Sequence, residues 1–228
     1  MLIYGHRGES ASEPENTLRA FERALQAGVD GIELDVQATA DGVPVVIHDR
    51  DLTRTTNGSG RVNEVTFDQL RQLDAGSGEK VPTLDEVLSL VGDRAHLDIE
   101  FKQTRIERAV LEQLNKHPTV EWSASSFKWG ALKTLRALGP AYDLWLLDDF
   151  VTDEVIETAR TLGASTAAIG HAALNEDTVA RLRAANLKIF AWTVNGVEEA
   201  RRMEKLGIDI LCTDAPTKMI NALAGVHD

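Results

Sequence analysis

Two histidines, two cations and three carboxylates of this 228-residue chain stand in short polar clusters beside apolar runs. His6 and Arg7 follow the run 2–5, Glu33 and Asp35 lie within 31–36, His48 closes 43–48, and Glu100 and Lys102 end the run that begins at 96. Alternate residues of an extended strand point the same way, so Glu33 shares a face with Asp35, and Glu100 with Lys102. Three carboxylates converging on one cup repel each other and raise their own pKa values. A divalent cation removes that penalty, and all-oxygen ligation suits a hard ion, Mg²⁺ or Ca²⁺. Glu33, Asp35 and Glu100 are therefore the candidate metal ligands. The alternative is a buried salt-bridge network in which Glu33 or Glu100 pairs with Arg7 or Lys102.

The histidines follow a different logic. An imidazole titrates at about pH 6.5, so one of a pair can accept a proton while the other donates. Displacement at phosphorus needs that division, because the nucleophile loses a proton and the leaving alkoxide gains one. His6 and His48 are the candidate acid and base, and Arg7 and Lys102 the candidate cations for non-bridging phosphate oxygens. Trp192, at the end of the run 188–192, is a candidate to pack against substrate or a plain core residue. Asn195, Thr213 and Asp214 follow at neighbouring strand ends. Glu15 either orients His6 or Arg7, or is a first-turn helix charge. Ser125 and Ser126 read as helix caps. His171 sits at the right end of a strand, whereas His96, His117 and His227 lie away from the expected mouth and read as structural or exposed.

Positioning these groups requires parallel strands, whose carboxyl ends carry the chemistry of α/β barrels. Apolar runs at 2–5, 31–36, 96–101, 122–125, 143–147, 166–169, 188–192 and 210–213 alternate with helical patterns. Asn16, Thr83 and Pro216 mark helix starts and Gly28 a helix end. Eight such units predict an α/β fold, a (β/α)8 TIM barrel. The run 43–48 does not fit, because it comes too soon after the Asp41-Gly42 turn for a crossover helix. Residues 37–82 read as an excursion in the second βα loop, with a helical piece at 67–73. A loop this long is uncommon unless functional.

Composition bounds the rest. A single domain over 1–228 is expected for a barrel of this length. The net charge is −12, from 24 basic and 36 acidic residues, which opposes nucleic acid and anionic lipid as partners. Aromatic residues make up only 5%, too few for a base-stacking platform. No apolar run approaches the roughly 20 residues of a membrane span. Residues 1–7 lack the pattern of a secretion signal. The expectation is a cytoplasmic protein with no stable membrane insertion. Cys212, the one cysteine, reads as a small buried core residue.

The ordered set His6-Arg7-Gly8, Glu15-Asn16-Thr17, Glu33-x-Asp35, His48-Asp49, Glu100-x-Lys102 and Trp192-Thr193-Val194-Asn195 resembles the glycerophosphodiester phosphodiesterase family. Arg54-Thr55-Thr56-Asn57-Gly58-x-Gly60, with Leu73-Asp74-Ala75-Gly76 after it, resembles that family's insertion. The likeness runs from about 6 to 216, nearly the whole chain. It implies a β/α barrel with one divalent metal that hydrolyses small-molecule glycerophosphodiesters to glycerol 3-phosphate and an alcohol. It also implies acid–base roles for His6 and His48, metal ligation by Glu33, Asp35 and Glu100, and phosphate contacts for Arg7 and Lys102. One departure is Ile208-Asp209-Ile210, where the family more often has Asp-Gly-Ile. Three rivals remain open to the sequence: a lysophospholipase D-like enzyme, a non-enzymatic phosphodiester-binding barrel, and a barrel that abstracts a proton beside a carboxylate.

Overall fold

A computed structural model describes residues 1–225. The chain runs β1 (Leu2–His6), α1 (Leu18–Ala27), β2 (Gly31–Ala38), β3 (Pro44–Val46), α2 (Phe67–Gln72), α3 (Leu84–Val91), β4 (His96–Phe101) and α4 (Glu107–Leu114). It continues through β5 (Trp122–Ser126), α5 (Trp129–Leu138), β6 (Leu144–Asp148), α6 (Asp153–Leu162), β7 (Thr166–Gly170) and α7 (Glu176–Ala184). It ends with β8 (Lys188–Trp192), α8 (Val197–Lys205), β9 (Ile210–Thr213) and α9 (Pro216–Leu223). Every strand except β3 pairs in parallel with its neighbours, and β1 joins both β9 and β2, so the sheet closes. This is an eight-stranded TIM barrel ringed by helices. Among the described residues, no helix is long and apolar enough to cross a membrane.

Alternation within the strands divides the barrel wall. In β2, Ile32, Leu34 and Val36 face the helices while Glu33, Asp35 and Gln37 face the lumen, and all six are buried. In β4, Leu97, Ile99 and Phe101 face out and Asp98 and Glu100 face in. Across the lumen, Tyr4, Trp145, Leu147, Phe190, Ile210 and Cys212 form a separate apolar cluster. One half of the lumen is thus acidic and the other aromatic. Gly31 belongs to this packing, because a side chain there would run into the Tyr4 ring.

Helix ends agree with the sequence, with one correction. Thr17, not Asn16, caps α1 by accepting from the Ala20 N–H, and Gly28 closes it at φ 80°. Asn16 instead turns back at φ 58° and donates its amide to Asp35 Oδ2 at 2.8 Å. A carboxylate partner in the lumen outweighs its capping tendency. Thr83 caps α3 in a reciprocal pair with Glu86, as expected. Pro216 opens α9.

The excursion after β2 has its own small core of Val45, Ile47, Leu52, Val62, Leu70, Ala75 and Val81. The expected strand at 43–48 is shorter, and pairs antiparallel with β2 at Val36–Val46 and Ala38–Pro44. Gln37 secures the segment just beyond β3. Its buried amide donates to the carbonyls of Ile47 (3.0 Å), His48 (3.0 Å) and Asp49 (2.6 Å). At the far end of the chain, Asp209 stands just before β9 where a glycine was expected. Its carboxylate accepts from the Ile189 N–H at 2.6 Å and meets Arg183 at 2.7 Å.

Candidate active site

Register between β2 and β4 sets Asp35 beside Glu100 and Glu33 beside Asp98. Glu33, Asp35 and Glu100 bring carboxylate oxygens within 4.8 Å of one another, and all three are buried. Arg7 Nε lies 3.2 Å from Asp35, and Lys102 Nζ lies 2.8 Å from Glu100 and 3.4 Å from Asp35. The salt-bridge network and the carboxylate cluster therefore coexist. Three acids against two cations leave an excess negative charge, before Asp98 beneath them is counted.

The imbalance shows in the titration of the cluster. Burial, then repulsion from Asp35, pushes Glu33 well above its usual range and Glu100 up to about 7. Burial also opposes ionisation of Asp35, but Arg7, Lys102 and His48 outweigh it and hold that carboxyl low. Asp35 Oδ1 is buried and makes no well-aligned hydrogen bond, with Lys102 Nζ 3.4 Å away as its salt-bridge partner. A compact, oxygen-only, electron-rich cluster with an unused lone pair suits a divalent cation.

The first loop carries two unusual backbones. Arg7 sits at φ 56°, and Gly8 at φ 86° lies so close to the backbone of Ala20 that a side chain would collide with it. This tight turn lets Arg7 N–H donate to Glu33 Oε2 at 3.0 Å while Arg7 Nη1 reaches Glu15 at 2.9 Å. Glu15 is thus neither a partner of His6 nor a helix-end charge. It bridges Arg7 and Arg54, and Arg54 in turn grips Asp49.

Both imidazoles are oriented the same way. His6 Nδ1 lies 2.6 Å from Asp214 Oδ1, and His48 Nδ1 lies 2.5 Å from Asp49 Oδ1. Asp214 also accepts from Asn195 at 2.6 Å and from Ser10 at 3.1 Å. A carboxylate on Nδ1 fixes the ring and leaves Nε2 for chemistry. Nε2 of His6 is 3.9 Å from Glu33. Burial, partly offset by Asp35, lowers the pKa of His48.

A cleft of about 120 Å³, open at its mouth, gathers these groups. His6, Arg7, Glu33, His48, Glu100, Lys102 and Trp192 all line it, and Asp35 lies just beneath. Its apolar wall is Trp192 with Phe190, Leu147 and Phe127. Phe127 meets Trp192 edge-on at 5.4 Å and is 43% exposed. His171 instead contacts the Trp192 carbonyl at 3.3 Å and is not among the lining residues. Ser125 and Ser126 are not the expected helix caps, because both belong to β5 and Lys128 is the N-cap residue of α5, without a side-chain capping bond. Ser126 accepts from Lys128 N–H in the turn before the helix while donating to the Phe101 carbonyl. His96 stacks on Trp145, His117 meets Asp85 at 2.9 Å, and His227 lies outside the described residues. Asp214, Asp49, Gln37 and Phe127 are positioning and lining residues to which the sequence assigned no role, and Asn16 is one to which it assigned only a helix start. For Asp49 and Asp214, adjacency to His48 and to the end of β9 was the available signal.

The surrounding sequence matches known proteins over the same span. A model of the glycerophosphoryl diester phosphodiesterase family matches residues 6–218. A glycerophosphodiester phosphodiesterase of Caldanaerobacter subterraneus subsp. tengcongensis is 37% identical over 96% of both chains. A phosphodiesterase of Oleispira antarctica, solved with sn-glycerol-3-phosphate, superposes with a TM-score of 0.94 at 30% identity, covering 98% of this chain and 97% of its own. A Silicibacter pomeroyi structure, described as a glycerophosphoryl diester phosphodiesterase, gives 0.91 at 28% identity, over 99% and 93% of the two chains. With its barrel, its paired imidazoles and its acidic cluster, the chain belongs to the glycerophosphoryl diester phosphodiesterase family.

Proposed function

We propose that this enzyme hydrolyses glycerophosphodiesters to glycerol 3-phosphate and an alcohol, with His6 and His48 as its acid–base pair. One observation carries the reading: two carboxylate-anchored imidazoles open onto one cleft with the Glu33, Asp35 and Glu100 cluster. The Oleispira relative, solved with sn-glycerol-3-phosphate, supports the same substrate class.

Glu33, Asp35 and Glu100 would hold one divalent cation, Mg²⁺ or Ca²⁺, which supplies positive charge to a phosphate oxygen and acidifies a bound hydroxyl. Arg7 and Lys102 bind the remaining phosphate oxygens and offset charge in the transition state. Their present carboxylate partners keep them extended into the cleft. One imidazole takes a proton from the nucleophile at Nε2 while the other gives one to the leaving alcohol. The imidazolium that forms is stabilised by Asp214 or Asp49 on Nδ1. Trp192 packs against the glycerol portion and excludes water.

A vicinal 2-hydroxyl of the substrate, held over the acidic cluster, is already placed for attack on phosphorus. We therefore favour a cyclic phosphate that water then opens. A substrate lacking the 2-hydroxyl should turn over far more slowly, and unchanged turnover would eliminate the cyclic route. The function itself is tested with purified protein and glycerophosphocholine, with glycerol 3-phosphate read by a coupled assay. Release that stops on chelation and returns with Mg²⁺ or Ca²⁺ is expected. No release under any metal would refute the activity.

A further inference from the structure

In a chain of net charge −12, one patch runs the other way. Arg50, Arg61, Arg105 and Lys128, together with Gln103 and Thr104, line a second open cleft of about 400 Å³. Acids do not balance it. Among the described residues, Arg61 meets Glu64 at 3.9 Å in an exposed pair, and Arg50, Arg105 and Lys128 have no acidic side chain within 4.0 Å. Burial, then Arg50 and Lys102, holds down the pKa of Lys128, so the like charges already crowd one another. A surface built only for stability would intersperse acids here, as the rest of this acidic chain allows.

The patch adjoins the catalytic cleft through residues next to its lining. Arg50 lies two residues past His48, and Gln103 to Arg105 directly succeed Lys102. Lys128 Nζ donates to the Lys102 carbonyl, and its neighbour Phe127 lines the catalytic cleft. Arg105 is held at φ 71°, a costly conformation for arginine. A phosphodiester over the acidic cluster can extend in two directions. One meets the Trp192 and Phe127 wall; the other passes over Lys102 into the basic groove.

We infer that this groove is a subsite for a phosphate monoester on the alcohol portion of the substrate. The inference rests on the phosphodiesterase reading above and names the substrate class for that site. Guanidinium forks match phosphate oxygens, and several cations around one dianion suit a phosphorylated polyol. The groove selects between substrates and takes no part in the bond cleavage.

The test compares glycerophosphoinositol with glycerophosphoinositol 4-phosphate, which differ by that one phosphate, alongside glycerophosphocholine. Wild-type kcat/KM should favour the phosphorylated substrate by roughly tenfold, since exposed cation–phosphate contacts are individually modest. In the Arg50→Gln/Arg105→Gln double variant the preference should shrink to about threefold or less, with glycerophosphocholine turnover unchanged. Raising the salt concentration should erode the preference in the same direction. Equal kcat/KM for the two inositol substrates in the wild type, or equal losses on both in the variant, would overturn the subsite. Failure to hydrolyse any of the three would refute the activity instead. The groove is then judged by calorimetric titration with chelator present, where tighter binding of the phosphorylated compound to wild type than to the variant is expected. Equal binding would refute it.

Discussion

Asp214 Oδ1 sits 2.6 Å from Nδ1 of His6, across 208 positions of sequence. Burial alone would raise the pKa of this carboxyl, but the hydrogen bond and charge of His6, with the hydrogen bonds of Asn195 and Ser10, together outweigh it and hold Asp214 down at about 2. Asp214 is therefore an anion at any working pH. It fixes the imidazole as the tautomer protonated at Nδ1 and stabilises its charged form. Asp214→Asn keeps the shape but removes the charge, and its amide can point an N–H at the ring. The expected result is a kcat lower by about 10²-fold with little change in KM. A proportionate rise in KM with kcat intact would mean that Asp214 serves binding instead.

The two imidazoles can be told apart by the leaving group. Either His6→Ala or His48→Ala should lower kcat by about 10²–10⁴-fold on glycerophosphocholine. A p-nitrophenyl ester of glycerol phosphate leaves as a stable phenolate and needs no proton. On that ester, the variant lacking the general acid should regain most of its rate, whereas the variant lacking the base should not. Recovery in both variants, or in neither, would contradict a division of labour between His6 and His48.

Much of this arrangement was legible in the residues alone, and the reasons are local. The run 96–101 is observed as β4 with the expected bounds, because strict alternation left Asp98 and Glu100 facing away from the apolar layer. His6, Arg7, Glu100 and Lys102 meet in one cleft because they lie at or just past the carboxyl ends of β1 and β4. Glu33 joins them from the lumen face of β2, and the excursion beyond β3 brings His48 over them. Less legible were the residues whose roles come from partners distant in sequence. Asn16 reads as a cap until its amide is seen on Asp35, and the adjacent Thr17 takes the capping role. Gln37 looks like an ordinary strand residue, since nothing in its spacing reveals three carbonyls awaiting it. Phe127 has no periodicity to show that it stands edge-on to Trp192.

Metal affinity should depend on pH through the acidic cluster. Burial and Asp35 raise Glu100 to about 7, so below that pH the metal-free protein holds a proton there. A cation must displace this proton to use the oxygen. Apparent affinity should therefore fall as pH drops below about 7, by about tenfold per unit for each proton released. Above that range Glu100 is already ionised and contributes no further slope. Calorimetric Mg²⁺ or Ca²⁺ titrations between about pH 5.5 and 8, in buffers of different ionisation enthalpy, read both the slope and the protons released. A pH-independent affinity with no proton release would rule out direct competition at Glu100.

Gln37 offers a way to disturb His48 without touching the cleft. Its side chain is fully buried and its single amide serves the carbonyls of Ile47, His48 and Asp49. It also accepts from Gln103 at 3.2 Å. Gln37→Met keeps the length and loses the donor, which leaves these carbonyls to find water or stay unpaired. The expected cost is about 2–4 kcal/mol, because each unsatisfied buried group costs about 1–3 kcal/mol and relaxation recovers some of it. The loss should be local, since the barrel layer packs on the other face of β2. Faster amide exchange confined to about 44–52 is expected, with kcat lower by about tenfold from a loosened His48. Uniformly faster exchange across the barrel would mean that Gln37 supports the fold as a whole. Unchanged exchange at 44–52 with full activity would mean that the three hydrogen bonds do not hold His48 in place.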